Sequence, residues 1–170
     1  MEKSDFRSIN LAPIWELLTV SAALYKGKKD SPSRPKDWKK DGMPSLMGLV
    51  GETAGAFITK VPAYFDPYAT EGRAADLQDG TDVKTTRYWP PILMVAIETK
   101  KWADYYALMY LDLATKKCYF IGKVTVEDLK KGTIKSFGYM NNYTLTMEEV
   151  IEKSIVEMKN PSQPRISLLI

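Results

Sequence analysis

A helix with three glycines is the sequence feature that most restricts how this chain can pack. Ser45 after Pro44 predicts the helix start, and Pro62 predicts an end near Lys60. The apolar stripe is Leu46, Leu49, Val50, Thr53, Ala54 and Phe57, and the opposite side carries Gly48, Gly51, Glu52, Gly55 and Ala56. Each glycine weakens a helix by about 1 kcal/mol relative to alanine. Three of them indicate close approach of other backbone or of a ligand; the alternative is a tightly packed helix whose Glu52 faces solvent.

The remaining elements alternate between helices and strands. Apolar patterning predicts a helix over residues 11–26 with Leu17 on its buried face, and a short helix near residues 126–129. A capping box at Thr146–Glu149 starts a final helix that ends at Asn160-Pro161. Strands are predicted at residues 74–77, 81–86, 92–98, 105–113 and 118–124. Together they predict one α/β (α+β) domain over residues 1–170, with a mixed sheet of four to five strands flanked by helices.

Histidine is absent from the 170 residues, and Cys118 is the only cysteine. These facts exclude Ser-His-Asp and Cys-His hydrolases, zinc sites with histidine ligands and internal disulfides. Hydrolytic chemistry would therefore depend on carboxylates, lysine and a hard cation. Charged residues make up 26% of the chain, and no apolar run approaches the roughly 20 residues of a membrane span. We expect a soluble, cytoplasmic protein.

The segment from Asp76 to Lys84 carries the residues best suited to such chemistry. Strand alternation places Asp82 and Lys84 on one face. A two-residue turn would send the two aspartates to opposite faces. A three-residue turn that ends with a left-handed Gly80 pairs Asp76 with Asp82, and this second register is the prediction.

Two carboxylates opposite each other repel unless a cation lies between them. With Glu52 nearby, Asp76 and Asp82 form an oxygen-ligand set that suits Mg²⁺, and Mn²⁺ is expected to substitute. Lys84 could orient the attacking water and stabilise developing negative charge. The alternative is an exposed hairpin whose charged residues only keep it in water.

This ordered set resembles the PD-(D/E)XK nuclease superfamily, in its small phage and restriction-type members. The resemblance covers residues 45–130 and includes Gly72-Arg73-Ala74-Ala75-Asp76, Asp82-Val83-Lys84 and the strands that follow. It implies a restriction-endonuclease-like fold with residues 44–130 as the nuclease core. The flanking segments have no counterpart in the family: residues 1–43 are predicted as an N-terminal helix and basic loop, and residues 131–170 as a C-terminal helix and tail. Ala75 departs from the proline often found at its position.

The resemblance assigns catalysis to Glu52, Asp76, Asp82 and Lys84, with metal bound by the three acids. It implies a magnesium-dependent endonuclease that hydrolyses DNA by a metal-activated water. It also implies a homodimer or a higher homo-oligomer, because cutting both strands of a duplex needs two centres. RNA is an alternative polymer. A catalytically silent nucleic-acid-binding domain is an alternative function, and so is a protein-interaction domain that uses the apolar tail at residues 166–170.

Cations near aromatic residues are the expected nucleic-acid contacts. They lie in a basic segment after the first helix, after the Asp82 strand and before the next long strand: Lys28, Lys29, Arg34, Lys36, Lys39, Lys40, Arg87, Lys100 and Lys101. The alternative for the basic segment is a solvated loop.

Overall fold

The computed structural model describes residues 1–26, 43–64, 75–137 and 140–156, which form a mixed α/β fold as the sequence predicts. The strands are β1 (Ser8–Asn10), β2 (Thr81–Thr86), β3 (Leu93–Ala96), β4 (Tyr105–Asp112), β5 (Lys117–Thr125), β6 (Thr133–Ser136) and β7 (Asn141–Leu145). The helices are α1 (Trp15–Lys26), α2 (Met43–Thr59), α3 (Val126–Lys130) and α4 (Met147–Lys153). Among these helices, none combines the length and hydrophobicity that a bilayer span requires.

The larger sheet has the strand order β1-β5-β4-β2 and separates two hydrophobic cores. β2 pairs with β4 in parallel, while the other neighbours are antiparallel. Alternate β4 side chains enter the two cores: Ala107, Met109 and Leu111 on one face and Tyr106, Leu108 and Tyr110 on the other. Burial on both faces explains why β4 and β5 are apolar almost throughout.

A second sheet, with the order β3-β7-β6, contributes to the second core together with α3 and α4. Leu93, Leu129, Leu145 and Val150 are fully buried there. The sequence predicts β3 but not β6 or β7. All four residues of β6 are exposed, so this strand has no alternation of apolar and polar residues that would reveal it.

Two predicted apolar faces differ from those observed. Leu17 is 66% exposed and Phe57 is 72% exposed, although both are predicted to be buried. α2 is rotated so that Gly51 and Gly55 face the sheet rather than lying opposite the buried stripe. Its buried apolar positions are Leu46, Val50, Ala54 and Ile58.

The last helix is shorter than predicted. α4 ends at Lys153, before the predicted end at Asn160-Pro161. Ser154 Oγ accepts a hydrogen bond from the Lys123 N–H, at 3.0 Å. The Ile155 N–H donates to the Lys123 carbonyl oxygen, at 2.9 Å. These bonds hold the chain against β5 in an extended conformation, so the helix cannot continue.

The close contact between α2 and β2 explains the glycines. A Cβ atom added to Gly51 would overlap Thr85 Oγ1 and lie 3.3 Å from Val83 Cγ1. A Cβ added to Gly55 would lie 3.3 Å from Val83 Cγ2. The close approach therefore exists, but the approaching groups are the Val83 and Thr85 side chains of β2 rather than backbone or a ligand. Gly48 differs, since its nearest atom would be Glu52 Oε1 at 3.8 Å, an ordinary contact.

We predict that Gly51→Ala lowers the free energy of unfolding by about 1–3 kcal/mol, because α2 has to move away from β2. Gly48→Ala is the matched control and is expected to raise it by up to about 1 kcal/mol, through helix propensity alone. Urea unfolding of both variants measures the difference. Thr85→Ala removes the overlapping hydroxyl, so Gly51→Ala is expected to cost less in that background. Equal effects of the two glycine substitutions in the wild-type background would contradict the contact.

Candidate active site

Asp76 lies beside the free edge of β2. The backbone N–H groups of Asp76 and Leu77 both donate to the Thr81 carbonyl oxygen, at 2.8 and 2.9 Å. Asp76 Oδ2 accepts a hydrogen bond from the Val83 N–H, at 2.7 Å. Because β2 is an edge strand, this N–H has no partner in the sheet. The Asp76 carboxyl group satisfies it and is thereby fixed in orientation.

The predicted hairpin between residues 74–77 and 81–86 does not form. Gly80 does adopt the expected left-handed conformation, with φ +82°. Leu77, however, forms a bridge with Ala63 rather than pairing with β2. The Leu77 side chain is fully buried in the core beneath α2, and the segment meets β2 only through the two backbone bonds to Thr81 and the Asp76 side chain, without a strand ladder. Residue 74 lies outside the described residues.

Asp82 and Lys84 project from the same face of β2, while Val83 between them is buried towards α2. Lys84 Nζ lies 2.7 Å from Asp82 Oδ2. The side chains of Lys84 and Asp82 are 39% and 17% exposed. The pair is therefore accessible to a ligand from solvent and is anchored in the sheet through its backbone.

The carboxyl groups of Asp76 and Asp82 meet although their strands do not pair. Burial raises the pKa of Asp76 from 3.8 to about 8, with further upward contributions from the charges of Asp82 and Glu52 and a hydrogen bond between the two aspartates. The Val83 N–H acts in the opposite direction. Without a cation, Asp76 therefore keeps a proton at neutral pH. Glu52 of α2 adds to this concentration of negative charge.

The raised pKa makes the stability of the metal-free protein depend on pH. Between about pH 4 and 8 the folded state holds a proton on Asp76 that the unfolded state has lost, so stability falls as pH rises through this window. The slope approaches about 1.4 kcal/mol per pH unit. We predict that Asp76→Asn removes this slope. Urea unfolding in EDTA across that pH range measures the slope. If the free energy of unfolding depends on pH in the same way in the wild type and in Asp76→Asn, the assignment of the raised pKa to Asp76 is refuted.

The donor atoms around Asp76 fit a hard divalent cation in their chemistry. Asp76 and Asp82 supply carboxyl oxygens, and the charge of Asp82 acts on Asp76. Within the described ranges, no group of three or more Asp, Glu, His or Cys side chains is arranged to hold a metal ion. The predicted set of three ligands is therefore not assembled as a cluster. Mg²⁺ commonly binds through one or two carboxylates and completes its shell with water and phosphate oxygens, so the two aspartates suit such a site, with Glu52 as a nearby charge.

Lys123 holds the turn between the two aspartates, and it is not among the residues predicted from the sequence. Its side chain is buried, with Nζ 2.6 Å from Asp79 Oδ2 and 4.3 Å from the centre of the Tyr105 ring. Asp79 Oδ1 in turn accepts hydrogen bonds from the Thr81 N–H and hydroxyl groups. Lys123 is one lysine among many in the chain, but it interrupts an otherwise apolar strand, and this interruption is the signal that could have identified it.

Tyr106 is a second residue absent from the predicted site. It lies opposite Asp82 in the parallel pairing of β2 and β4. Its hydroxyl oxygen accepts a hydrogen bond from the Ala103 N–H at 3.2 Å, and burial raises its pKa. The charges of Asp82 and Lys84 also act on it. Tyr106 therefore lies beside the acidic pair, as we call Asp76 and Asp82.

The predicted nucleic-acid contacts that the structure describes fall into two groups. Arg87 is exposed just beyond the end of β2, with its guanidinium 5.6 Å from the Tyr88 ring centre. Lys100 and Lys101 are exposed before the start of β4. Because β2 and β4 run in parallel, these groups lie towards opposite ends of the strand pair, with Asp82 and Lys84 between them. The remaining predicted contacts lie outside the described residues: Lys28, Lys29, Arg34, Lys36, Lys39 and Lys40.

No protein-family model matches the chain. No curated protein is significantly similar to it, and no solved structure matches it. The resemblance to PD-(D/E)XK nucleases therefore remains a prediction that depends on the quoted residues.

Proposed function

We propose that this protein is a metal-dependent nuclease that hydrolyses phosphodiester bonds in DNA. The observation that carries the proposal is that Asp76, held by the Val83 N–H, lies at the same edge of β2 as the Asp82–Lys84 ion pair, where the two aspartates act on each other. Two neighbouring carboxyl groups lower the stability of a folded protein unless a cation lies between them, and such pairs cluster at functional sites.

Asp76 and Asp82 are the residues that would hold Mg²⁺ or Mn²⁺. The ion, when bound, would lower the pKa of a water molecule and neutralise charge on the phosphate. The Val83 N–H keeps Asp76 in a fixed orientation, which supports a preorganised site. Glu52 adds negative charge from α2.

Lys84 supplies positive charge to the phosphate. Its ammonium group is partly exposed and anchored by Asp82, so it can donate a hydrogen bond to a phosphate oxygen or to the attacking water. No covalent intermediate is required, which agrees with the absence of histidine from the chain. The buried Cys118 thiol, whose pKa is raised to about 12 by burial, has no part in this chemistry.

The test is cleavage of DNA and RNA in single-stranded, duplex and branched forms with Mg²⁺ or Mn²⁺. We predict that EDTA abolishes cleavage and that Asp82→Asn and Lys84→Met each reduce the rate by about 100-fold or more. Lys3 and Asp112 provide matched controls, because their 3.0 Å ion pair has nearly the same exposure, 36% and 17%, at the other end of the sheet. Asp112→Asn and Lys3→Met are expected to retain full activity.

Two results would overturn the proposal. One is undiminished cleavage by Asp82→Asn or Lys84→Met. The other is the absence of cleavage of every substrate by the wild-type protein with either metal. If the protein then still binds nucleic acid, it is a silent binding domain. For duplex substrates, a homodimer is part of the proposal, and sedimentation analysis measures it.

A further inference from the structure

Trp102 forms a half-buried aromatic surface outside the acidic pair. Its ring contacts Tyr106 edge to face, with 6.4 Å between ring centres, and Tyr143 with 5.9 Å between ring centres. These two rings belong to different sheets and hold the indole in place. A preorganised aromatic ring of this kind loses little entropy when a ligand stacks on it.

A replaceable group lies over the ring. Lys130 of α3 places Nζ 4.3 Å from the centre of the Trp102 ring, while its own side chain is exposed. A lysine in this position is a flexible, hydrated chain, so another group can displace it at small cost. The displaced ammonium group would remain close enough to contact a phosphate of the ligand that replaces it.

Trp102 is linked to Asp82 through Tyr106. Tyr106, which contacts Trp102, faces Asp82 across the parallel pairing of β2 and β4. Neighbouring strands are about 4.8 Å apart. A strand of nucleic acid whose phosphate reaches Lys84 could therefore place a nearby base at Trp102.

The charges around Trp102 are balanced, with four lysines and four acidic residues, so a phosphate at the ring would be contacted by Lys130 itself. Lys100 and Lys101 precede it in the same loop, and Lys131 follows Lys130. The acidic groups on these elements are Glu98, Asp104, Glu127 and Asp128. Asp128 pairs with Lys131 at 3.1 Å, and its pKa is lowered by that lysine.

We propose that Trp102 and Lys130 form a stacking site for an unpaired nucleotide, with the base on the indole and a phosphate on the lysine. The site selects single-stranded nucleic acid or a single-stranded extension of a duplex, because bases inside a duplex have no free face. Its role in presenting a strand for cleavage rests on the proposed nuclease function, whereas its binding of single strands does not.

The experiment measures binding of a fluorescein-labelled oligothymidylate by anisotropy in EDTA, with no cleavage. Trp102→Ala is expected to weaken binding about tenfold, which corresponds to about 1.4 kcal/mol and lies within the range for base–aromatic stacking. Trp102→Phe is expected to retain most of the affinity. Binding of a blunt duplex is expected to be unchanged in both variants.

Trp15 offers a matched control, since it is also half-buried and carries a lysine, with Lys116 Nζ 5.8 Å from its ring centre. It lies on α1, against the other core. Trp15→Ala is expected to leave single-strand binding unchanged. Lys130→Gln changes an exposed residue and does not threaten folding. It is expected to lower the slope of log affinity against log salt by about 0.7.

The proposal is overturned if Trp102→Ala binds the oligothymidylate as tightly as the wild type, if Trp15→Ala loses as much affinity as Trp102→Ala, or if Lys130→Gln leaves the salt slope unchanged. If the mutational pattern is as expected but no substrate is cleaved, the stacking site stands and the nuclease function fails. If cleavage depends on Asp82 but single-strand binding does not depend on Trp102, the nuclease function stands and the stacking site fails.

Discussion

The contact between α2 and β2 at Gly51 is the constraint on which the candidate site depends. With no side chain at this position, the helix lies directly against Val83 and Thr85. Thr85 Oγ1 is buried there and has no hydrogen-bond partner within the described part of the chain, a cost that indicates how closely the elements pack. Glu52, the next residue of α2, is thereby brought within electrostatic reach of Asp76.

The same contact fixes the two faces of β2. Val83 is directed into the core beneath α2, so Asp82 and Lys84 have to project from the other face. Asp76 then satisfies a backbone N–H group at the open edge of the strand. An unpaired strand edge is usually a liability in a protein. Here it supplies the hydrogen bond that orients one of the two acidic side chains.

The local sequence pattern predicts those features of the site that depend only on residues close together in the chain. The alternation of side chains along β2 places Asp82 and Lys84 together, and the glycines of α2 predict a close neighbour.

The contact of Asp76 with Asp82 is a different case. The sequence predicts it from a hairpin that does not exist, because the burial of Leu77 and the parallel pairing with β4 depend on residues distant in the chain. The ion pair between the buried Lys123 and Asp79 is also non-local, joining residues 44 positions apart. Phe57 shows the limit of helical periodicity, since the stripe that packs is decided by the neighbour and not by hydrophobicity alone.

We propose that the Asp76 and Asp82 carboxyl groups form one cation site. Anomalous diffraction from crystals soaked in Mn²⁺ tests it most directly. We predict an anomalous peak between the two carboxyl groups that disappears in Asp82→Asn and persists in Asp112→Asn. Ordered wild-type crystals with no peak there, or with a peak only elsewhere on the molecule, would contradict it.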